Sequence, residues 1–133
     1  MSCYNGIMLH ILLVDGDTSF RRVYAAALEK AGLVVDHASD AQDALARLES
    51  RTYHAVVSEI LLPGKNGIRL IQDIRLQPKH LSVPIFILTT LEAADVGIPA
   101  SLAQSLGVRA YLVKQQTRPS QLAGAIQSLL PAP

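Results

Sequence analysis

Near its beginning the chain reads His10-Ile11-Leu12-Leu13-Val14-Asp15, an apolar run that ends at an acidic residue. A run of apolar residues without polar alternation indicates a strand that is buried on both faces, as the strands of parallel sheets are. Similar runs follow at Leu33 to His37, Ala55 to Val57, Ile85 to Leu88 and Ala110 to Val113. Segments of helical period separate these runs, so we expect an α/β fold of five βα units around a five-stranded parallel sheet.

The helices between these strands are predicted from apolar stripes and from residues that start or stop helices. Ser and Asp are favoured as N-caps, Pro in the first turn, and Gly just after the last turn. The predicted helices run from about Ser19 to Ala31, from a cap at Ser39 or Asp40, through Ile68 to Ile74, from about Pro99 to Gly107, and from Pro119 onward.

Composition limits the classes of partner and compartment. The chain has 133 residues, a net charge of +1 and 17% charged residues, which gives no reason to expect a second domain or a nucleic-acid surface. Its single cysteine, Cys3, excludes an intrachain disulfide and a zinc site built on several thiolates. The apolar stretch from Ile7 to Val14 is too short to span a membrane. We therefore expect one domain over residues 1–133, with a core of about 8–130, in the cytoplasm and without direct contact to nucleic acid or membrane.

Polar side chains follow four of the predicted strands at the point where each strand ends. Asp15 follows strand one, Glu59 strand three, Thr89 strand four and Lys114 strand five. Because the carboxyl ends of parallel strands meet at one edge of a sheet, we expect these side chains to share a crevice. Carboxylates hold a divalent cation or accept a phosphoryl group, and a hydroxyl and an ammonium contact phosphate oxygens. The set therefore indicates phosphate chemistry.

On these residues the chain resembles the receiver domains of bacterial response regulators over about residues 8–130. The resemblance is carried by four segments: the first strand ending at Asp15, the loop Pro63-Gly64-Lys65-Asn66-Gly67, the strand from Pro84 through Thr89, and the segment from Gly107 through Lys114, which includes Tyr111.

This resemblance implies a flavodoxin-like fold, a three-layer (βα)5 sandwich with strand order 2-1-3-4-5. In receivers a histidine kinase donates a phosphoryl group to an Asp at the end of strand three, and an acidic pair binds Mg²⁺. Asp15 matches the first acid, Thr89 the switch Thr, Tyr111 the aromatic switch residue, and Lys114 the lysine that contacts the phosphate. The resemblance also implies a signalling module and not an enzyme.

The phosphorylation site departs from the family's pattern at two positions. Gly16 stands where the second acid belongs, and Glu59 stands where the phosphoacceptor Asp belongs. The extra methylene of Glu59 moves its carboxylate roughly 1.5 Å further into the pocket, and in-line attack tolerates little misplacement. Asp15 and Glu59 remain as candidate metal ligands, and we expect them to bind Mg²⁺ weakly or not at all, so that no cofactor is required.

Asp17 and Glu59 allow two further predictions. Asp17 is the acid nearest to the missing one, but its position at the start of helix one favours a capping role over metal binding. Glu59 is long enough to form an ion pair with Lys114 without any phosphate. Such a pair would imitate part of the phosphorylated state with one negative charge instead of about two.

Two more departures lie after the fourth strand. Gln115 occupies the position where the family usually has a proline with a cis peptide bond, so we expect a trans bond there. The segment from Thr89 to Lys114 is longer than usual in the family, and Gly97-Ile98-Pro99 is the predicted insertion.

The expected function is that of an atypical receiver in two-component signalling that acts through phosphorylation-independent protein contacts. Its partner is expected to be a histidine kinase or an output domain that binds helix four, strand five and helix five, with a homodimer through that surface as a variant. The main alternative is a conventional Mg²⁺-dependent phosphoacceptor receiver.

A third interpretation is an enzyme. Val14-Asp15-Gly16-Asp17-Thr18 also resembles the first motif of haloacid-dehalogenase-type phosphatases. That family requires an acidic pair after its lysine to hold Mg²⁺, whereas this chain has no Asp or Glu after Asp95. The site is therefore incomplete for this reaction, and we give the phosphatase interpretation the lowest weight.

Overall fold

The predicted strands form one parallel sheet. In the computed structural model, which describes residues 3–4, 7–97 and 100–129, they are β1 (His10–Val14), β2 (Val34–Ala38), β3 (Ala55–Ser58), β4 (Ile85–Thr89) and β5 (Val108–Val113). The strand order is β2-β1-β3-β4-β5, and every neighbouring pair is parallel. The flavodoxin-like order 2-1-3-4-5 expected from the sequence is confirmed.

Helices cover both faces of this sheet. They are α1 (Thr18–Lys30), α2 (Ala41–Ser50), α3 (Gly67–Arg75), α4 (Ala93–Val96), α5 (Ala100–Ser105) and α6 (Pro119–Leu129). Because side chains alternate along a strand, Leu12 and Val14 of β1 pack in the core with α2 and α3, whereas Ile11 and Leu13 pack in a second core with α1 and α6. The molecule is therefore the expected three-layer α/β sandwich.

The region after β4 differs from the prediction of one fourth helix. α4 ends at Gly97, whose φ of 71° is left-handed and suits glycine at the end of a helix. A second short helix, α5, follows and is the counterpart of the predicted helix four, so α6 is the counterpart of predicted helix five. Ile98 and Pro99, which carry most of the predicted insertion and the predicted helix start, lie outside the described residues.

Other differences are smaller. An antiparallel pair, Cys3–Tyr4 with Ile7–Met8, precedes β1, so the apolar stretch from Ile7 to Val14 is not one strand. Single 3-10 turns occur at Pro78–His80 and Lys114–Gln116. None of the helices in the described ranges combines the length and the apolar character needed to cross a membrane.

Candidate functional site

The polar residues predicted to converge are delivered to one edge of the sheet by the strands. Asp15 follows β1 directly, and its backbone N–H donates to the Ala38 carbonyl at 3.0 Å. Glu59 follows β3, and its backbone N–H donates to the Val14 carbonyl at 3.0 Å. These ladder bonds extend the sheet by one residue on each strand, so both acidic residues start from a fixed backbone.

Lys114 joins the two carboxylates. Its Nζ lies 2.7 Å from Asp15 Oδ2 and 2.8 Å from Glu59 Oε2. The three side chains are only 12%, 6% and 4% exposed for Lys114, Asp15 and Glu59, so little solvent screens this ion pair network. We call these three residues the Lys114 triad. Its formal charge is −1, since two carboxylates share one ammonium.

The remaining carboxylate oxygens of the Lys114 triad are also occupied. Glu59 Oε1 accepts from the backbone N–H groups of Ile60 at 2.7 Å and Leu61 at 3.0 Å. Asp15 Oδ1 accepts from the backbone N–H of Asp17 at 2.9 Å. Every carboxylate oxygen of the triad therefore has a protein donor, which is what allows two acids to be buried side by side.

The charge state of Lys114 follows from these contacts. Burial by itself lowers the pKa of an ammonium, but the hydrogen bonds and the charges of Asp15 and Glu59 outweigh burial and raise the pKa of Lys114 above its ordinary value of 10.5. Lys114 is thus a permanent cation at physiological pH.

Phe20 and Tyr24 form the wall beside Lys114, and sequence reasoning did not assign either to the site. Lys114 Nζ lies 3.8 Å from the centroid of the Phe20 ring, a cation–π contact, and Phe20 stacks on Tyr24 with centroids 4.2 Å apart. The Tyr24 hydroxyl donates to the Thr117 carbonyl just after Lys114. Both aromatics lie on the apolar stripe predicted for helix one, and the signal available was the place of Phe20 in the first turn after Asp15.

The space for a side chain at position 16 is narrow. A Cβ on Gly16 would lie 3.2 Å from Pro63 Cδ and 3.3 Å from Pro63 Cγ, which is tighter than ordinary contact. A second acidic side chain at this position would therefore need a small shift of the Pro63 ring.

Asp17 is directed to the backbone of α1. Its side chain is the N-cap of that helix and accepts from the Phe20 N–H at 3.0 Å. The predicted capping of helix one by Asp17 is therefore observed in α1.

The carboxylates that could hold Mg²⁺ are engaged within the protein. A hard cation binds several oxygen ligands, and each of the four carboxylate oxygens of Asp15 and Glu59 accepts at least one hydrogen bond from a protein donor. Among the described residues, no cluster of three or more His, Cys, Asp or Glu is placed to hold a metal ion. A cation at this point would compete with Lys114 for the same two carboxylates.

Thr89 and Tyr111 meet at the loop after β4. Thr89 is buried, and its Oγ1 accepts from the Leu91 N–H at a long 3.4 Å. The Tyr111 hydroxyl donates to the Leu91 carbonyl at 2.8 Å. Burial, followed by the charges of Glu59, Glu92 and Asp95, raises the pKa of the Tyr111 hydroxyl, so it remains a donor. Both residues thus hold the backbone of the same loop.

Gln115 closes the same loop from β5. The peptide bond after Lys114 is trans, as expected without proline. The Gln115 side-chain amide donates to the Thr90 carbonyl at 3.4 Å, and that of Gln116 donates to Glu92 Oε1 at 3.1 Å. The loops after β4 and β5 are therefore tied together next to the Lys114 triad.

Gly67 fixes the loop on the other side of Glu59. A Cβ on Gly67 would lie 2.0 Å from the Glu59 carbonyl oxygen, so no other residue fits at this point without a backbone shift. The Gly67 N–H donates to the Ile60 carbonyl at 2.8 Å. The start of α3 therefore rests directly on the backbone of the acidic residue.

Comparison with known proteins identifies relatives with this architecture. Residues 11–127 match the family described as response regulator receiver domain. The probable transcriptional regulator ycf27 of Cyanophora paradoxa is 32% identical over 121 residues, which cover 90% of this chain and 47% of the relative. The gliding motility regulatory protein of Myxococcus xanthus is 28% identical over 121 residues, covering 91% of this chain and 15% of the relative. The chain thus spans less than half the length of these relatives.

A solved structure agrees with the sequence relatives. The chemotaxis response regulator CheY4 of Vibrio cholerae superposes with a TM-score of 0.81 at 27% identity, covering 92% of this chain and 99% of that protein. The family match extends over nearly the whole sheet and includes Asp15, Glu59, Thr89 and Lys114. This chain therefore belongs to the response regulator receiver domain family of two-component signalling.

Proposed function

We propose that this receiver is atypical and signals through protein contacts that do not require phosphorylation at position 59. The observation that carries the proposal is the Lys114 triad, in which Lys114 Nζ bridges Asp15 and Glu59 at 2.7 and 2.8 Å. In a conventional receiver these three positions contact a phosphoryl group and a metal ion. Here Lys114 contacts Asp15 and Glu59 instead.

Phosphoryl transfer to Glu59 is disfavoured by its contacts. A nucleophilic oxygen needs a lone pair aimed at phosphorus, and a misplacement of about 1 Å can cost about a hundredfold in rate. Glu59 Oε2 is held by Lys114, and Oε1 is held by two backbone N–H groups. These charge-assisted hydrogen bonds fix the orientation of the carboxylate, so attack by either oxygen has to start from the geometry that they impose.

In this proposal Glu59 replaces part of what a phosphoryl group would do. It gives Lys114 an anionic partner at the end of β3, although with one negative charge where a phosphate carries about two. The loop after β4 is held at the same time by Thr89, Tyr111 and Gln115. The pocket is then set in a single state, and the signal comes from the surface that this state presents.

The same contacts are the reason to expect that Mg²⁺ binds only weakly. Removing Lys114 from two buried carboxylates is costly, because breaking a buried pair leaves uncompensated charge. Gly16 supplies no third carboxylate, and the Pro63 ring narrows the space beside it. We therefore expect Mg²⁺ to have no part in the signal.

The proposed partner is a histidine kinase or an output domain of the same signalling system. The proposed contact surface is formed by α5, β5 and α6, which adjoin the loop that Tyr111 and Gln115 hold. In a second form of this proposal, another copy of the chain binds the same surface and forms a homodimer. Receiver domains are in general signalling modules and not enzymes.

The two alternatives differ in what supports them. Family membership favours the conventional phosphoacceptor receiver. Thr89 and Lys114 lie at the strand ends where such a receiver has the residues that contact the phosphate. The phosphatase interpretation needs Asp17 as a general acid, but the Asp17 carboxylate caps α1. Family membership likewise favours a receiver over a phosphatase.

The experiment that tests the proposal is mass spectrometry of the intact protein after incubation with acetyl phosphate and Mg²⁺. We expect no phosphoryl adduct on the unmodified chain. Glu59→Asp alone and Glu59→Asp combined with Gly16→Asp are the matched variants, and the second is expected to gain a hydroxylamine-sensitive adduct. A hydroxylamine-sensitive adduct on the unmodified chain would establish the conventional alternative.

A further inference from the structure

A cavity of about 490 Å³ lies at the edge of the sheet opposite the Lys114 triad. It is lined by residues just before β1, β3 and β4 and by Arg109 at the start of β5. Its volume is within the range of about 300 to 1,000 Å³ that is typical of small-molecule sites. We call it the lower cavity.

Several residues that line the lower cavity have side chains that can donate hydrogen bonds. They are Thr52, Ser82, His54, Lys79 and Arg109. Tyr53 and His80 also line it, but the Tyr53 hydroxyl donates to Asp36 at 2.6 Å and His80 Nε2 lies 3.0 Å from the Leu48 carbonyl oxygen. Among the described residues that line it, none is Asp or Glu. The cavity therefore presents permanent positive charge without a carboxylate on its walls.

His54 contributes a donor and not a charge. Its Nδ1 accepts the backbone N–H of His10 at 2.9 Å, so the neutral ring carries its proton on Nε2. Burial and the neighbouring His10 lower the pKa of His54, which favours this neutral form at physiological pH. The permanent cations of the lining are thus Lys79 and Arg109.

Neighbouring contacts fix the walls of the lower cavity. Arg75 donates to the His80 carbonyl at 2.8 Å and to the Leu106 carbonyl at 2.7 Å, which ties the turn that carries Lys79 to the start of β5. Lys79 Nζ donates to the Glu49 backbone carbonyl at 3.1 Å, so its position is also set. The Lys79 side chain and the backbone that leads to Arg109 are therefore fixed before any ligand arrives.

We propose that the lower cavity binds a small phosphate monoester with an apolar body. A phosphate monoester carries about two negative charges near neutral pH and three strongly accepting terminal oxygens, which match two permanent cations and three neutral donors. A carboxylate offers one charge and two oxygens, and leaves donors of this cavity unused. Leu9, Val83 and Pro84 supply an apolar wall for the rest of the molecule.

This site is separate from the Lys114 triad. His54 directly precedes β3 and Glu59 directly follows it, so the two sites lie about 16 Å apart at about 3.3 Å per residue. Binding at one site can therefore be followed without confusion with binding at the other.

Amide NMR on the full chain tests the proposal with phenyl phosphate as the probe, and with inorganic phosphate and benzoate as partial probes. We expect saturable shifts at His54, Lys79, Ser82 and Arg109, with phenyl phosphate bound at least about fivefold more tightly than either partial probe. Arg109→Gln should weaken phenyl phosphate binding by about fivefold or more. Arg22→Gln, an equal loss of charge at an exposed site on α1, should leave binding unchanged.

Three results would overturn the proposal. The first is the absence of saturable shifts at the lower cavity, and the second is a set of shifts centred on Lys114. The third is equal weakening by Arg109→Gln and Arg22→Gln, which would mean that general charge attraction and not a built site holds the probe. Lys79→Gln supplies a second variant with the same expected weakening.

Discussion

Glu59 has one more methylene than the aspartate of a phosphoacceptor site, and this length decides which atoms it meets. Its Oε2 lies 2.8 Å from Lys114 while Oε1 bonds to the backbone N–H groups that follow it. Both oxygens are thus satisfied within a buried pocket, and the residue needs no ligand to be stable there. Glu59 is therefore one arm of a buried ion pair.

Removal of Lys114 should expose the cost of burying two acids together. In Lys114→Met, Asp15 and Glu59 lose their shared cation, and we expect a loss of about 3 to 5 kcal/mol in the free energy of unfolding. Urea denaturation provides the measurement. The control is Lys65→Met, which removes the exposed 2.6 Å pair with Asp73 and should cost less than about 1 kcal/mol. Equal losses in the two variants would mean that the triad contributes no more than a surface pair.

The stability that Lys114 supplies should depend on pH in one direction. Its pKa is raised in the folded state, so folding favours the protonated form. The contribution is complete below the unfolded value of about 10.5 and is lost as pH rises through the higher folded value.

The difference in unfolding free energy between the unmodified chain and Lys114→Met should therefore be flat from pH 7 to about 10 and then shrink. Using the difference removes the titration of groups that both proteins share. A difference that grows above pH 10.5 would contradict the raised pKa.

At the scale of elements, the start of α3 positions Glu59. Gly67 has no room for a Cβ, since the Glu59 carbonyl oxygen lies 2.0 Å from where it would stand. Gly67→Ala should therefore displace the loop after β3 and lower the unfolding free energy by about 1 to 3 kcal/mol.

Gly124→Ala is the matched control for this substitution. Gly124 lies within α6 and has open space around its Cβ position, so alanine should stabilise the protein by about 0.5 to 1 kcal/mol. Thermal unfolding of both variants tests the pair. The same sign for both substitutions would contradict the close approach at Gly67.

The elements that the sequence predicted well are those with one dominant local signal. The apolar runs of β1, β3 and β4 have no helical period to compete with, and the observed bounds differ from the expected ones by one residue at most. Asp17, Asp40 and Asn66 cap their helices through side-chain hydrogen bonds. Asp17 and Asp40 were among the caps predicted from the sequence, because Asp is favoured at that position. The predicted helix four corresponds to α5, but the short helix α4 before it was missed; α4 ends where Gly97 adopts a left-handed conformation.

The topology of the sheet explains which part of the site could be predicted from the sequence. Parallel strands bring their carboxyl ends together, so the convergence of Asp15, Glu59, Thr89 and Lys114 followed from strand ends alone. The contact of Phe20 with Lys114 and that of Pro63 with Gly16 did not follow, because they depend on how loops and helices pack over the sheet. The lower cavity could not be predicted either, because it is formed by segments that are far apart along the chain.

In the proposed function the Lys114 triad occupies the place of phosphate chemistry. Amide NMR of the full chain with Mg²⁺ and beryllium trifluoride, a tetrahedral imitation of a phosphoryl group on a carboxylate, can detect whether position 59 still accepts such a group. We predict unchanged resonances at Glu59, Thr89 and Lys114, and a new set of resonances in the Glu59→Asp, Gly16→Asp variant. A new set of resonances at those three residues in the unmodified chain would mean that Glu59 is still a phosphoacceptor.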